Sequence, residues 1–396
     1  MSKLTIFSQI IQLIDRNLAN KVIASHKSDK HSKGFPVWSQ LMCMLFCHFS
    51  NSHSIRDIVH GMCSTTGNLH HIDVRRLPKR STLSYANQHR SWEVFRDLYL
   101  SLYGRLSDNL PKPSIKFRIK SKILLLDSSI ISLSLKIFDW AKFRQHKGAM
   151  KLHTMLDYQG AMPEYIHVSE GKLNDTKHAW NLTFPKHSVV VADRGYLDYA
   201  LLYHWDQDLK VRFVVRTKKD MVYEVLKNLP VGYDNILSDQ LVHLNRHTSY
   251  KKYPQIIRRI EVWDPENEKV IVLITNQIKS WTAKTIADLY KARWQIEIFF
   301  KEVKQHLRIK SFVGTTVNAV LTQIWTAMIT LLLLKYLKAK ARFAWNLSNL
   351  VSFLRFNLLV NVNLYSWLDE PIFTQLRGSP IEKQLALFEL KGGGIP

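Results

Sequence analysis

The chain has 396 residues, of which 46% are hydrophobic and 11% aromatic, so it can bury a sizeable core and is not intrinsically disordered. Its length is enough for two or three domains. Lysine and arginine together number 56 against 32 acidic residues, which gives a formal net charge of +24. This excess favours a polyanionic partner, with nucleic acid as the first candidate and an anionic membrane surface as the alternative.

The apolar segments indicate neither export nor membrane insertion. The start of the chain, residues 1–13, is interrupted by Lys3, Ser8 and Gln9 and has no signal-peptide pattern. An apolar stretch at residues 319–334 covers only 16 residues, which is short for a bilayer span. It therefore predicts a buried core helix.

The three cysteines, Cys43, Cys47 and Cys63, cannot all pair within one chain and suit a reducing cytoplasm. We therefore expect a cytoplasmic protein. Cys43 and Cys47 lie one helical turn apart beside His48, which would allow a metal site. Because the surrounding run is mostly apolar, two buried thiols are the favoured interpretation.

Residues 1–112 are predicted to form a helical domain. Apolar positions recur at helical spacing within residues 4–14, 38–49 and 92–102, and Ser54 has the character of a helix cap. Residues 1–120 contain 18 Lys and Arg but only 7 Asp and Glu, nearly half of the net charge. This surplus favours a DNA-binding domain over an ordinary helical bundle with a basic surface.

A basic loop precedes one of these predicted helices. Arg75, Arg76, Lys79 and Arg80 lead into Ser81, which we expect to cap the helix that follows. Cationic side chains at a helix N-terminus suit contacts with DNA phosphates. These four side chains are therefore candidates for DNA binding.

After a linker at Pro111–Pro113, the pattern changes from helical to extended. A short apolar run from residue 122 ends at Asp127, as expected for a buried central strand that carries an acid to the edge of a sheet. Runs at 150–156 and 162–168 flank a turn signal at residues 157–160. The sequence therefore predicts three antiparallel strands, followed by a helix at 174–181.

The same pattern of strand and acid occurs a second time. The apolar run 188–192 stops at Asp193, and Arg194 and Gly195 lead into a predicted helix at 196–205. Taken alone, an acid after a strand is more often a helix cap than a catalytic group. A further strand at 211–217 and a polar, strand-rich stretch follow.

Residues 282–308 contain neither Gly nor Pro and are predicted to form one long helix capped by Thr282. At about 100° per residue, Tyr290, Arg293, Glu297 and Lys304 fall within an arc of roughly 60° beside an apolar face. The simplest interpretation is a solvated stripe with Arg293 and Glu297 as a weak ion pair.

The spacing of Tyr290, Arg293, Glu297 and Lys304 resembles the Y-R-E-K signature of bacterial insertion-sequence transposases with a DDE triad, especially insertion-sequence family four. The resemblance implies an α/β (mixed α+β) fold with an RNase H-like, retroviral-integrase-like core, a β-rich insertion and an all-α N-terminal DNA-binding domain. The implied domains are 1–112, helical and DNA-binding; 113–216, first part of the core; 217–275, β-rich insertion; 276–345, second part of the core; and 346–396, a C-terminal helical region and tail.

The resemblance also implies the site. Asp127, Asp193 and Glu297 would be the catalytic carboxylates and the ligands of two Mg²⁺ or Mn²⁺ ions, because hard oxygen ligands select such cations. The expected phosphate-binding residues are Arg194, Tyr290, Arg293 and Lys304.

The implied partners are double-stranded DNA with terminal inverted repeats, target DNA and a second copy of the chain. The implied activity is metal-dependent cutting and joining of DNA, through a hairpin intermediate. Alternatives are an RNase H-like nuclease that does not join DNA and a catalytically idle DNA-binding regulator. A hairpin needs an aromatic residue against a flipped base, but the aliphatic Ile271 occupies the expected position. Trp263 and Trp281 are aromatic candidates by proximity only, and packing in the core is at least as good an interpretation of either. The resemblance also implies a prokaryotic protein associated with the nucleoid.

Overall fold

The computed structural model describes residues 4–371 except 31, 33, 66–68, 114–116, 134–141, 145–146, 219 and 308–311. The predicted tail beyond residue 371 therefore lies outside the described residues. The helices are α1 Ile6–Ile11, α2 Arg16–Ser25, α3 Val37–Ser50, α4 Ile55–Cys63, α5 Arg80–His89, α6 Glu93–Leu106, α7 Asp175–Ala179, α8 Tyr199–Tyr203, α9 His247–Lys252, α10 Ala283–Ala292, α11 Trp294–His306, α12 Val317–Lys340, α13 Leu347–Asn357 and α14 Leu364–Asp369. The strands are β1 Ile123–Leu133, β2 Lys142–Arg144, β3 Lys147–Asp157, β4 Met162–Glu170, β5 Val189–Ala192, β6 Arg212–Arg216, β7 Tyr223–Asn228, β8 Ile236–Leu244, β9 Ile257–Asp264 and β10 Lys269–Thr275.

These strands form one mixed sheet in the order β2-β3-β1-β5-β6-β10-β9-β8-β7, with β4 also paired to β3. The central strands β1, β5 and β6 run parallel, and the flanking strands pair antiparallel. Residues 189–192 of β5 are all buried, which is typical of a parallel strand covered on both faces. The predicted antiparallel trio after the linker is confirmed as β1, β3 and β4.

The strands of residues 217–275 extend the central sheet. Strand β10 pairs with β6, so β9, β8 and β7 continue the hydrogen-bonded ladder outward from the core. The outermost strand, β7, has mostly exposed side chains. The β-rich stretch therefore shares its backbone hydrogen bonds with the central strands, which fixes its orientation relative to them.

Helix α12 is the core helix predicted from residues 319–334. It packs against α3, α5 and α6 of the N-terminal region. Within the described part of the chain it is the one helix long and apolar enough to cross a bilayer, but 83% of its most apolar window is buried inside the protein. That burial is what a soluble core helix shows.

The predicted N-terminal helices are present as α1, α3 and α6. Ser54 caps α4 by accepting a hydrogen bond from the Asp57 N–H. The expectation for Ser81 was wrong: α5 already begins at Arg80, and the cap position is Lys79, which makes no side-chain cap bond. Cys43 and Cys47 are buried, as expected of packed thiols.

Two predicted helices differ from the observed ones. The helix expected over 282–308 divides at Arg293, where the N–H of Arg293 bonds the Tyr290 carbonyl and the N–H of Ile296 bonds the Arg293 carbonyl, both tight three-residue steps. The helix expected at 196–205 begins only at Tyr199, because Asp198 accepts the first free N–H groups. The break at Arg293 does not follow from helix propensity, because neither Gly nor Pro stands there.

Candidate active site

Asp127 lies in the interior of β1, since the strand runs on to Leu133 instead of ending at the acid. Its parallel neighbour β5 stops much earlier: Leu126 pairs with Ala192, the last residue of β5. Asp127 and Asp193 therefore stand side by side where one strand ends and the other continues. At this step in the sheet, here called the acid edge, β1 continues beyond the last residue of β5.

Helices α10 and α11 bring the third acid to the acid edge. Arg293, at the break between them, donates one hydrogen bond to Asp127 at 2.9 Å and another to Glu297 at 2.5 Å. Tyr290 donates its hydroxyl proton to Asp193 at 3.0 Å. The three acids, spread over 170 residues of sequence, are thus joined by two side chains of one helical segment.

The break at Arg293 has a structural consequence. Arg293 closes α10 and precedes α11, so its side chain can reach across to β1 while also bonding Glu297 one turn later. Lys304, near the end of α11, donates to the Ser129 hydroxyl at 2.6 Å and to the Ile130 carbonyl at 3.0 Å. The helix is therefore fastened to β1 at both ends of the site.

The acids differ in their electrostatic surroundings. Burial raises the pKa of Asp127 to about 6, although the Arg293 charge and the Ser128 N–H lower it. Burial acts on Asp193 in the same sense, but the Arg194 N–H, the Arg293 charge and the Tyr290 hydroxyl outweigh it, so the pKa of Asp193 lies below its usual range. Two neighbouring carboxylates with pKa values moved apart are typical of a functional site.

The donor set at the acid edge fits a hard divalent cation. Three carboxylates need positive charge close by, and in this structure the Arg293 guanidinium supplies it between Asp127 and Glu297. Among the described residues no group of three or more His, Cys, Asp or Glu is already arranged as a metal cage. Carboxylate oxygens are the ligands that Mg²⁺ and Mn²⁺ prefer, so the chemistry of the residues agrees with those ions.

The predicted basic residues lie in two places. Arg194 is exposed in the turn directly after Asp193. Arg75, Arg76 and Lys79 are exposed in the loop before α5, and Arg80 is exposed at its first turn. All are accessible to a polyanion, and the last four belong to the N-terminal helical region rather than to the acid edge.

The two candidate tryptophans lie at opposite ends of the strands, one on the side of the acids and one on the other side. Trp263 is 38% exposed and pairs with Val270, on strands whose register places it on the same side as Asp193. Trp281 lies beside Arg212, which pairs with Val189 at the start of β5. Trp281 therefore stands at the edge opposite the acids, and its contact with DNA stays a prediction.

Two residues at the acid edge escaped the sequence analysis. Arg216 follows Val215, which pairs with Ala192, and its charge lowers the pKa of Asp193. Its sequence signal was the same as for the acids, a charged residue at the end of an apolar strand. Trp294 follows Arg293 and is 59% exposed, an unusual state for so large an apolar side chain. A tryptophan on the polar side of an amphipathic helix was the available clue.

Comparisons with known proteins agree with this geometry. Residues 118–333 match the family described as Transposase DDE domain, and residues 2–75 match a domain of unknown function (DUF4372). The chain is 30% identical over 266 residues to a Sinorhizobium fredii protein described as transposase y4zB, covering 65% of this chain and 71% of that one. It is 27% identical over 281 residues to a Geobacillus stearothermophilus protein described as a transposase for insertion sequence element IS5377, covering 69% and 72%.

A Synechocystis protein described as a transposase for insertion sequence element IS4SA is 27% identical over 297 residues, covering 73% of this chain and 81% of that one. Among solved structures, a piggyBac transposase synaptic complex with hairpin DNA aligns with a TM-score of 0.39 at 9% identity, over 99% of this chain and 85% of that one. At that TM-score the likeness supports no inference about this chain.

Proposed function

Because this chain belongs to the DDE transposase family of bacterial insertion sequences, enzymes that act on DNA, we propose that the acid edge is where it cuts and joins DNA. The observation that carries the proposal is the contact of Arg293 with both Asp127 and Glu297. A solvated i, i+4 pair of Arg293 and Glu297 would not need a third partner from β1. The shared contact instead draws two acids from distant elements into one site.

The proposed catalytic residues and metal ligands are Asp127, Asp193 and Glu297. These carboxylates would hold two Mg²⁺ or Mn²⁺ ions, which would neutralise charge and activate water or a 3′-hydroxyl for in-line phosphodiester displacement. The protein contributes a fixed arrangement: β1 and β5 hold the two aspartates in register, and the Tyr290 hydroxyl orients the Asp193 carboxylate.

Arg293 has two tasks in this proposal. It balances the charge of Asp127 and Glu297 in the protein alone, and its guanidinium has further capacity because its Nε is buried without a hydrogen-bond partner. A planar guanidinium can grip a phosphate through two parallel hydrogen bonds. Arg194, Tyr290 and Lys304 complete the proposed phosphate-binding set.

The test is DNA cleavage and strand transfer with a fragment that carries the element's terminal inverted repeat. Wild-type protein with Mg²⁺ is expected to nick this DNA, and precleaved ends are expected to join to a target duplex. Glu297→Gln is expected to do neither while still binding DNA. Cleavage without any joining of precleaved ends would favour a nuclease, and normal nicking by Glu297→Gln would refute the site.

The N-terminal helical region is proposed to bind the terminal repeat. Its exposed basic residues lie in the loop before α5 and at the first residue of that helix: Arg75, Arg76, Lys79 and Arg80. Each phosphate contact contributes about 0.9 to the slope of log affinity against log salt concentration. Arg75→Ala combined with Arg76→Ala should therefore reduce that slope by about 2. Lys227→Ala combined with Lys269→Ala removes two exposed charges from the sheet and should leave the slope unchanged.

We further propose that cleavage proceeds through a DNA hairpin and requires two copies of the chain, each bound to one end. One set of three acids can cut both strands if the first 3′-hydroxyl attacks the opposite strand. A tight hairpin needs an unstacked base to rest against an aromatic surface. Trp294, exposed beside Arg293, is the best candidate for that surface, with Trp263 as the second. End-labelled DNA on a denaturing gel would reveal the hairpin as a strand of double length.

A further inference from the structure

A second group of polar side chains lies directly behind the acid edge. It consists of Lys151 and His153 on β3, Asp175 and His178 on α7, and Tyr196 after β5, and is here called the inner polar cluster. The register joins it to the site, because His153 pairs with Ser128, the residue after Asp127. None of these residues has a part in the function proposed above.

Asp175 is the centre of the inner polar cluster. The ammonium of Lys151 lies 3.3 Å from one of its carboxylate oxygens, and Nδ1 of His153 lies 3.4 Å from the other. Lys151 also donates to the Leu173 carbonyl at 2.9 Å, which fixes its ammonium beside α7. Burial opposes ionisation of Asp175, but hydrogen bonds from His153 and Ser128 and the Lys151 charge outweigh it, so its pKa lies below the usual range.

Asp175 also reaches the strand that carries the second acid. A methyl group added at Gly195, two residues after Asp193, would lie 3.6 Å from its carboxylate oxygen. The same carboxylate is near Ser128 on β1. Burial raises the pKa of the Tyr196 hydroxyl, and the negative charge of Asp175 raises it further. The half-buried Asp175 carboxylate therefore lies close to the chain segments immediately after Asp127 and Asp193.

Burying the inner polar cluster is energetically unfavourable. His153 is completely buried, and His178 and Tyr196 are nearly so. The His178 Nε2, the Tyr196 hydroxyl and the neighbouring Thr154 hydroxyl are buried without a hydrogen-bond partner. Each such group costs about 1–3 kcal/mol, so apolar side chains would stabilise this layer better.

A metal site of its own does not explain the inner polar cluster. The His153 and His178 rings lie 4.2 Å apart, and the His178 and His167 rings are stacked at 4.5 Å with planes 15° apart. Stacked rings direct their nitrogens side by side instead of toward one point.

We propose that Asp175 is a positioning residue for the transposase reaction, holding the segments after Asp127 and Asp193 so that both carboxylates face the same cations. This inference rests on the proposed function of the acid edge. Lys151 and His153 hold Asp175 in turn. Outer partners of metal-binding carboxylates commonly alter metal affinity by about 10- to 100-fold when removed.

The test uses the full chain and Mn²⁺ alone, measured by titration calorimetry, together with the Mn²⁺ concentration that gives half-maximal cleavage. Asp175→Asn should weaken Mn²⁺ binding about tenfold and raise that concentration by a similar factor. Lys151→Met, which keeps most of the volume but loosens Asp175, should weaken binding about threefold. If Asp175→Asn does not fold, Lys151→Met decides the question.

Asp239→Asn is the matched control. Asp239 is a buried aspartate in a two-bond pair with Arg258 in β8 and β9, away from the inner polar cluster. The Asp239→Asn variant should be less stable than wild type but should bind Mn²⁺ with the same affinity. The proposal is overturned if Asp239→Asn loses Mn²⁺ affinity as much as the test variants do, or if the folded test variant binds Mn²⁺ like wild type.

Asp127→Asn separates this inference from the proposed function. If Asp127→Asn abolishes Mn²⁺ binding while Asp175→Asn and Lys151→Met leave it unchanged, only the positioning role fails. If Asp127→Asn binds Mn²⁺ and cleaves DNA like wild type, the proposed function fails with it.

Discussion

The two ends of the central strands β5 and β6 differ sharply. At the acid edge, Asp127 and Asp193 lie together, and the Arg293 Nε and the nearby Tyr196 hydroxyl are buried without partners. At the opposite edge, Asn276 accepts from the Phe213 N–H and donates to Asp206 at 2.7 Å and to the Val211 carbonyl at 2.9 Å.

The difference separates stability from function within one sheet. The Asn276 network closes its hydrogen bonds locally, and the Tyr253 hydroxyl adds another to Asp206 at 2.7 Å. The acid edge keeps like charges together, which disfavours folding but suits cations and phosphates. Residues at the acid edge should therefore affect reaction rates, and residues at the opposite edge should affect the free energy of unfolding.

The largest expected effect comes from Glu297→Gln. Removing one carboxylate charge from the site should lower the rate of DNA nicking in Mg²⁺ by at least about a thousandfold, with no loss of folding stability. Gel assays of nicking and urea unfolding measure the two quantities. Glu266→Gln, an exposed carboxylate paired with Lys291, is the control and should retain full activity. A nicking rate within tenfold of wild type would contradict the role of Glu297.

The second effect is the pH-dependent difference in folding stability between Asp127→Asn and wild type, both without metal. Because the pKa of Asp127 rises from 3.8 to about 6 on folding, its ionised form destabilises the fold by up to about 3 kcal/mol above pH 6. This penalty disappears as the pH falls from 6 toward 4, where both states bind the proton. The variant should thus be more stable than wild type at pH 7.5 and nearly equal at pH 4. Equal stability at both pH values in urea titrations would refute the strained acid edge.

The third effect concerns the opposite edge. Asn276→Ala removes three hydrogen bonds and leaves the Phe213 N–H unpaired, so the free energy of unfolding should fall by about 2 kcal/mol. The nicking rate per folded molecule should remain that of wild type. A large fall in the rate with unchanged stability would erase the contrast between the two edges.

The smallest effect compares two tryptophans. Trp294→Ala should reduce hairpin formation about fivefold, since one base stacked on an aromatic side chain is worth at least about 1 kcal/mol. Trp281→Phe, at the opposite edge, should leave hairpin yield unchanged. Denaturing gels of end-labelled DNA measure both. If Trp281→Phe lost the hairpin and Trp294→Ala kept it, the flipped base would rest at the edge opposite the acids, and the assignment to Trp294 would be wrong.

The sequence alone predicted the parts that depend on local pattern. Strand runs that meet Asp127 and Asp193, the cap at Thr282 and the core helix around residues 319–334 all follow from periodicity and turn chemistry, which short windows of sequence contain. The spacing from Tyr290 to Lys304 pointed to the transposase family, which the family match confirms.

Tertiary structure decided what lies next to what. The early end of β5 beside a longer β1 makes the acid edge, the break at Arg293 lets one guanidinium reach two acids, and the register of β6 and β10 separates Trp281 from the acids. His153, which lies 3.4 Å from Asp175, is placed beside Ser128 and the acid edge by strand pairing. Local propensity carries no information about such contacts, because they arise only when distant segments share one hydrogen-bonded sheet.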